Sequence, residues 1–181
     1  MPLMFNAAGL LFPGIHKIAW NEFYRQYSFS DRREFLFSGM KDALIHFKSA
    51  GCVKVYIDGS FVTKKVEPGD YDACWDMTGV NLRLLDPMFY FGLQFGTTPQ
   101  KLKYFGEFYP ASIIELRSGL TFLDFFQTDR ITGNRKGIIE INFLSGCIWS
   151  QLYGYKRDDP NKYYHRQSSG AIGNQRFHCQ S

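Results

Sequence analysis

The sequence predicts an α/β (α+β) domain in which a small mixed β-sheet is flanked by helices. Two observations lead to this prediction. Apolar residues recur at helical spacing over residues 31–49, and a short segment of mostly β-branched and aromatic residues lies at 53–57. With 45% hydrophobic and 18% aromatic residues, the 181-residue chain has enough apolar side chains for one packed core.

The longest predicted helix covers residues 31–49, with Ser30 as its N-cap. Serine suits this position because its hydroxyl accepts a hydrogen bond from a free backbone N–H of the first turn. Gly51 is expected to end the helix, since glycine readily takes the left-handed conformation found after many helices. Residues 1–17 are predicted to be an extended or looped arm, because a proline and a glycine interrupt them.

Further elements are predicted along the rest of the chain. Residues 71–75 and 120–127 are expected to be the second and third strands after 53–57. Residues 137–143 are either a fourth strand or the start of a helix, since their apolar run fits both periods. A short helix is predicted over 99–105, with proline at its first position.

The domain is predicted to cover residues 1–155, followed by a polar, basic and flexible tail over 156–181. The net charge of +4 lies mostly in this tail, so the remainder is nearly neutral, unlike a dedicated nucleic-acid-binding domain. The apolar N-terminus lacks the basic region of a signal peptide. No uncharged apolar run approaches the roughly 20 residues that span a bilayer. We therefore expect a cytoplasmic protein without a membrane partner.

The chemically informative segment is residues 55–72, which read V-Y-I-D-G-S-F-V-T-K-K-V-E-P-G-D-Y-D. A predicted strand runs into Gly59-Ser60, and Asp70 and Asp72 open the next strand. Residues two apart on a strand point to the same face, so the two carboxylates lie side by side and repel each other unless a cation lies between them. Mg²⁺ or Mn²⁺ is the expected cation, because both prefer oxygen ligands.

The residues around this turn are suited to phosphate. Gly59 lets the backbone come close to a ligand because it has no Cβ. Ser60 adds a hydroxyl, and if a helix begins there its free N–H groups favour phosphate. Lys64 and Lys65 follow in the connecting segment, where each is either a contact to the outer phosphates of a nucleotide or a solvated loop charge. The segment therefore predicts a site for a metal-bound nucleoside triphosphate.

The pattern Gly59-Ser60 followed by Asp70-Tyr71-Asp72 resembles the G-S-x9-D-x-D signature of the DNA polymerase β-like nucleotidyltransferase superfamily. The sequence around it is similar to that of a small bacterial and phage-associated branch of nucleotidyltransferase-like proteins, and the resemblance covers roughly residues 5–143. It implies a minimal nucleotidyltransferase fold. It also implies transfer of a nucleoside monophosphate from a triphosphate to a hydroxyl of an RNA, protein or small-molecule acceptor, with release of pyrophosphate.

Members of this superfamily usually have a third carboxylate on a neighbouring strand, and Asp124 is the candidate here. In a strand over 120–127, Asp124 shares one face with Phe122 and Phe126, so an acid lies in an apolar row. Burying a carboxylate costs several kcal/mol unless it is paired or bound to metal. The alternatives are an ion pair of Asp124 with Arg117 or Arg130, or a third acid from among Asp76, Glu115, Asp129 and Glu140.

A second function stays open, namely a binding protein on the same fold. It would be a nucleotide sensor, or the regulatory half of a toxin–antitoxin or phage-defence pair with a protein partner. The small size favours this alternative, because no separate acceptor-binding domain is evident. The presence of both Asp70 and Asp72 favours the enzyme.

Overall fold

The computed structural model describes residues 3–90, 98–144 and 152. Helices and strands pack around one five-stranded mixed sheet, which confirms the predicted α/β class. The strands β1 to β5 are Gly14–Lys17, Lys54–Asp58, Tyr71–Trp75, Gly106–Pro110 and Gly137–Asn142. The helices α1 to α4 are Trp20–Tyr27, Asp31–Ser49, Thr98–Tyr104 and Phe122–Phe126. The predicted tail at 156–181 and the domain boundary before it lie outside the described residues.

The order of strands in the sheet is β1-β5-β2-β3-β4. The central strand β2 is antiparallel to both of its neighbours, β5 and β3. The two edge strands pair in parallel, β1 with β5 and β4 with β3. This order places β2, β3 and β4 next to one another, so side chains distant in sequence meet across these three strands.

Several sequence predictions are confirmed. Helix α2 covers 31–49, and Ser30 caps it by accepting a hydrogen bond from the backbone N–H of Arg33 at 3.3 Å. Strand β3 has the predicted bounds, β2 is shifted by one residue, and α3 occupies the region of the predicted short helix. Residues 137–142 form a strand, which excludes the helical alternative.

The prediction of a strand over 120–127 is wrong, because this segment contains helix α4. Thr121 begins the helix, since its hydroxyl oxygen accepts a hydrogen bond from the backbone N–H of Asp124 at 3.1 Å. Phe122 and Phe126 are four residues apart and both are buried against the sheet, as helical spacing requires. The aromatic residues that suggested a strand therefore form one side of a short helix.

The N-terminal arm is more ordered than predicted. Residues 14–17 form the edge strand β1, and α1 follows it with Trp20, Phe23 and Tyr27 buried. Strand β4 was also not predicted. Strand β1 is short and largely exposed, and β4 is only five residues long although its burial alternates, so neither gives a strong strand signal in the sequence.

Each face of the sheet is covered by a different part of the chain. Helices α1 and α2 pack on the face that carries Val55, Ile57 and Trp75. Helix α4 packs on the opposite face, against Tyr56 and Cys74. Within the described residues, no helix is both long and apolar enough to cross a membrane.

Candidate active site

Three carboxylates lie side by side across strands β2, β3 and β4. Asp58 is the register partner of Asp72 in the antiparallel pair, and Asp72 is the register partner of Glu107 in the parallel pair. Register partners on neighbouring strands carry their side chains on the same face of a sheet. We call Asp58, Asp72 and Glu107 the carboxylate row. It lies on the face that α4 covers, because Tyr56, Cys74 and Tyr109, each two residues away, also lie there.

Two lysines neutralise part of this negative charge. The ammonium of Lys136 lies 2.6 Å from both carboxylate oxygens of Asp58. The ammonium of Lys101 lies 2.8 Å from Asp70 and 3.5 Å from Glu107, so it bridges the two acids. By contrast, no cationic side chain among the described residues lies within 4.0 Å of the Asp72 carboxylate. Asp72 is therefore the member of the row that lacks a direct counter-ion.

The surroundings of Asp72 raise its pKa to about 7. Burial is the largest cause, because it penalises the charged form. The neighbouring negative charges add to the increase, and they come from Asp58, Asp70 and Glu107. The positive charge of Arg130 opposes it. Asp72 thus sits where added positive charge is electrostatically favourable.

The turn after β2 is in close contact with Asp72. Gly59 has a φ of +80°, a conformation that disfavours any residue with a side chain. A Cβ built on Gly59 would lie 2.8 Å from an Asp72 carboxylate oxygen and 3.0 Å from the Asp72 amide nitrogen. Ser60 follows and opens a 3₁₀ turn of three residues, so no α-helix begins there. The close approach at Gly59 is therefore to Asp72, and the approach of a ligand to this backbone stays a prediction.

A cavity of about 640 Å³ opens above Asp72 and Glu107. Its size falls within the range of about 300–1,000 Å³ that is usual for small-molecule sites. Aromatic side chains form one part of its lining: Tyr109, Phe122, Phe125 and Phe126. Polar and charged side chains form the other part: Glu115, Arg117, Ser118 and Arg130. We call this space the carboxylate cavity.

Asp124 does not join the carboxylate row, contrary to the sequence prediction. Its carboxylate accepts a hydrogen bond from the Thr121 hydroxyl at 2.8 Å and lies 3.6 Å from the guanidinium of Arg135. The side chain is about half exposed, at 49%, and does not line the carboxylate cavity. The reason is the helical geometry of α4, which turns Phe122 and Phe126 toward the sheet and Asp124 away from them. Of the alternatives, an arginine pairing is present, but with Arg135.

The structure also keeps Lys64 and Lys65 out of the carboxylate cavity. Lys64 lines a separate, smaller cavity of about 250 Å³, with its ammonium 5.7 Å from the centre of the Phe5 ring. The side chain of Lys65 is exposed, and its backbone carbonyl accepts hydrogen bonds from the guanidinium of Arg33 at 2.6 and 3.0 Å. A phosphate contact by either lysine stays a prediction.

Sequence reasoning missed Glu107, Asp58 and the two lysines that pair with the acids. Asp58 had a local signal, since it is an acid at the end of an apolar strand and directly before Gly59. Glu107 alternates with buried Gly106 and Phe108, a period-two pattern that indicates a strand, but it is only five residues long. Lys101 and Lys136 are recognisable only from the fold.

The row does not form a ready-made metal centre. Within residues 3–90, 98–144 and 152, no three His, Cys, Asp or Glu side chains surround a common point where a metal ion fits. The ammonium of Lys101 instead holds Asp70 and Glu107 together. Metal binding at this row would therefore require Lys101 to withdraw from at least one of the two acids.

Comparison with known proteins gives one match. A family model described as "Family of unknown function (DUF6932)" matches residues 3–142. The matched region contains the Gly59 turn, the carboxylate row and every residue that lines the carboxylate cavity. No match was found among curated proteins or among solved structures.

Proposed function

The chain belongs to the DUF6932 family, a family of unknown function, and from its site we propose that it is a nucleotidyltransferase that requires a divalent metal ion. The observation that carries this proposal is the carboxylate row, which adjoins the Gly59 turn and of which Asp72 and Glu107 line a cavity. The row combines closely spaced oxygen ligands with a glycine turn that lies against Asp72. This combination suits a phosphate that arrives with its metal ion.

The residues present suit Mg²⁺ or Mn²⁺ by their chemistry. Both ions prefer carboxylate oxygens, and Asp70, Asp72 and Glu107 supply these within one cluster. A positive charge already occupies part of the cluster, namely the ammonium of Lys101. In this proposal Glu107 takes the role that the sequence assigned to Asp124. A bound divalent ion would supply charge neutralisation at the phosphates of the substrate.

The proposed reaction transfers a nucleoside monophosphate to an acceptor hydroxyl. A bond forms between the acceptor oxygen and the α-phosphorus, the bond from that phosphorus to the β-phosphate bridging oxygen breaks, and pyrophosphate leaves. The hydroxyl proton passes to solvent. Phosphoryl-type transfers depend mainly on positioning and on neutralising charge, so the site does not need a catalytic histidine.

The chain's own residues contribute to positioning. Asp58 is held by Lys136 and borders Asp72, so it helps to fix the orientation of the row. Gly59 leaves space for the Asp72 carboxylate, which a side chain at this position would displace. Arg33, which is fully buried, donates hydrogen bonds to the carbonyls of Phe61 and Thr63 and so anchors the segment after the turn.

The test is transfer of label from nucleotides labelled at the α-phosphate. Purified protein is incubated with each of the four triphosphates, Mg²⁺ or Mn²⁺, and RNA or protein from a cell extract. We expect acid-stable label on one class of acceptor. We expect no label on any acceptor when the nucleotides are labelled at the γ-phosphate, because that phosphate leaves with pyrophosphate. The Asp72→Asn variant serves as the inactive control, and Asp124→Asn as the matched variant that keeps activity. Absence of label with every nucleotide, metal and acceptor would contradict the proposal.

A second candidate is a nucleotide-binding protein without transfer activity, acting as a sensor or with a protein partner. It is favoured by the two lysines, which already neutralise part of the negative charge of the cluster. For this function the same assay gives no label, while nucleotide binding measured separately is retained. The pair of measurements therefore separates the two functions.

A further inference from the structure

The lining of the carboxylate cavity points to one class of ligand. We propose that the cavity binds a single nucleotide, with its base packed against the aromatic side chains and its phosphates held by Arg117 and Arg130. This inference rests on the proposed function for the choice of a nucleotide. It goes further because it assigns nucleotide binding to residues outside the carboxylate row.

The aromatic part of the lining offers an apolar surface of ring faces and edges. The rings of Tyr109 and Phe122 are stacked, with centroids 4.3 Å apart and an angle of 18° between their planes. Phe125 meets Phe122 edge-on, at 6.5 Å and 88°. Aromatic side chains of this kind pack against nucleic acid bases of any identity, because every base has a π-face. A planar heterocycle is therefore the group that this surface accommodates best.

The two arginines supply the positive charge that phosphates need. Both side chains are exposed, and neither forms an ion pair within 4.0 Å with a carboxylate of the described residues. The guanidinium of Arg130 lies 5.5 Å from the centre of the Phe125 ring, and its charge lowers the pKa of Asp72. Arg130 is thus electrostatically coupled to both the aromatic lining and the carboxylate row. A guanidinium matches the geometry of phosphate oxygens with two parallel hydrogen bonds.

The other polar groups of the lining are engaged within their own loop. The Glu115 carboxylate accepts hydrogen bonds from the backbone N–H groups of Arg117 and Ser118 at 3.1 and 2.8 Å. The Ser118 hydroxyl oxygen accepts one from the backbone N–H of Leu120 at 3.3 Å. Neither side chain is poised to read the edge of a base. We therefore expect the cavity to discriminate weakly among adenine, guanine, cytosine and uracil.

The size of the cavity favours one nucleotide over a strand. A volume of about 640 Å³ is in the range of sites for single small molecules. The net charge of the whole chain is only +4, which gives no strong attraction for a long polyanion. A free nucleotide is therefore the ligand to test, with a short oligonucleotide as the competitor.

The experiment measures binding of a fluorescent ATP analogue by anisotropy, in Mg²⁺ and in EDTA. Unlabelled ATP, GTP, CTP and UTP are then used as competitors, and we expect their affinities to agree within about threefold. The variants Arg117→Ala and Arg130→Ala should each weaken binding about tenfold or more, since each removes a charged phosphate contact. Phe125→Leu should weaken it by about fivefold. Arg83→Ala, an exposed arginine that does not line the cavity, is the matched control and should change binding less than twofold.

The outcomes separate this inference from the proposed function. Nucleotide binding that is unchanged in both arginine variants and in Phe125→Leu overturns the inference, whether or not label is transferred. Binding that depends on these residues without any transfer upholds the inference and contradicts the proposed function. Arg117→Gln and Arg130→Gln, which keep much of the side-chain volume, repeat the test if either alanine variant melts at a lower temperature. A single-stranded oligonucleotide that displaces the analogue at lower concentration than ATP would also overturn the inference.

Discussion

Asp72 and Glu107 are register partners in the parallel pair β3–β4, and both carboxylates line the same cavity. Both carboxylates carry negative charge, and no cationic side chain among the described residues lies within 4.0 Å of Asp72. Their proximity is therefore electrostatically unfavourable. Asp58 lies on the other side of Asp72 and increases this repulsion. An arrangement that is unfavourable without a cation is the expected property of a site that binds one.

The first prediction concerns the pH dependence of stability. The folded state raises the pKa of Asp72 to about 7, so it binds this proton more tightly than the unfolded chain does. The stability that the proton provides is present at low pH and is lost as the pH rises to about 7. Asp72→Asn cannot ionise. Its free energy of unfolding relative to wild type should increase by about 2–4 kcal/mol as the pH is raised from 4.5 to 8, measured by urea unfolding without metal.

The control for this prediction is Asp129→Asn. The pKa of Asp129 is lowered by hydrogen bonds from Thr132, so its neutralisation has no reason to stabilise the fold at either pH. If Asp72→Asn instead lost stability at pH 8, the Asp72 carboxylate would be a structural partner and the account of the row would be wrong.

The second prediction concerns the turn after β2. Gly59→Ala should destabilise the protein by about 1–3 kcal/mol because its backbone (φ +80°, ψ −170°) is in a region that only glycine adopts readily, and further because its methyl group meets Asp72. Gly119→Ala is the matched control, since Gly119 has a φ of +71° but open space around a built Cβ. We expect the loss at Gly59 to exceed the loss at Gly119 by at least about 1 kcal/mol in urea unfolding. Equal losses would show that the contact with Asp72 relaxes without cost.

The third prediction concerns the lysine between the acids. Lys101→Met removes an ammonium that lies 2.8 Å from Asp70 and 3.5 Å from Glu107, so the two carboxylates are left without this counter-ion. The variant should bind Mn²⁺ about fivefold more tightly than wild type, because the ion no longer competes with the ammonium. Lys103→Met, on the same helix but paired with Asp86, should leave the affinity unchanged. Weaker Mn²⁺ binding by Lys101→Met would mean that the lysine orients the acids for the metal.

The fourth prediction concerns a buried arginine below the turn. Arg33 is fully buried and donates hydrogen bonds to the carbonyls of Phe61, Thr63 and Lys65 at 2.6–3.0 Å. Arg33→Met leaves these carbonyls without a donor, so we expect a loss of at least about 3 kcal/mol in the free energy of unfolding. Arg25→Met, at an exposed position of α1, should change it by less than about 0.5 kcal/mol. A small effect at Arg33 would show that water replaces the guanidinium.

Local sequence signals predicted the elements that frame the site. Ser30 marks the start of α2, and residues 71–75 are both the predicted and the observed strand β3. These signals work because capping and strand periodicity act over a few residues. The Asp70-x-Asp72 spacing therefore singles out Asp72, the middle member of the carboxylate row, as a candidate from the sequence alone.

The remaining acids of the site depend on contacts that are distant in the chain. Glu107 lies beside Asp72 only because β4 pairs with β3 in a particular register, which no local pattern specifies. The prediction for Asp124 failed for the opposite reason. A local signal was present, but the segment was interpreted with the two-residue period of a strand instead of the period of a helix. Thr121 followed three residues later by an acid is a typical helix start, and it outweighs the aromatic residues that favoured a strand.

The most direct test of the carboxylate row is an Mn²⁺ titration followed by electron paramagnetic resonance. We predict that the wild-type protein binds Mn²⁺ and that Glu107→Gln weakens this binding about tenfold or more, because one of the carboxylate ligands is lost. Asp124→Asn should bind as wild type does, since Asp124 lies outside the cavity and pairs with Arg135. Metal binding by the carboxylate row would be contradicted if Asp124→Asn lost Mn²⁺ binding while Glu107→Gln kept it, or if the wild-type protein bound no Mn²⁺.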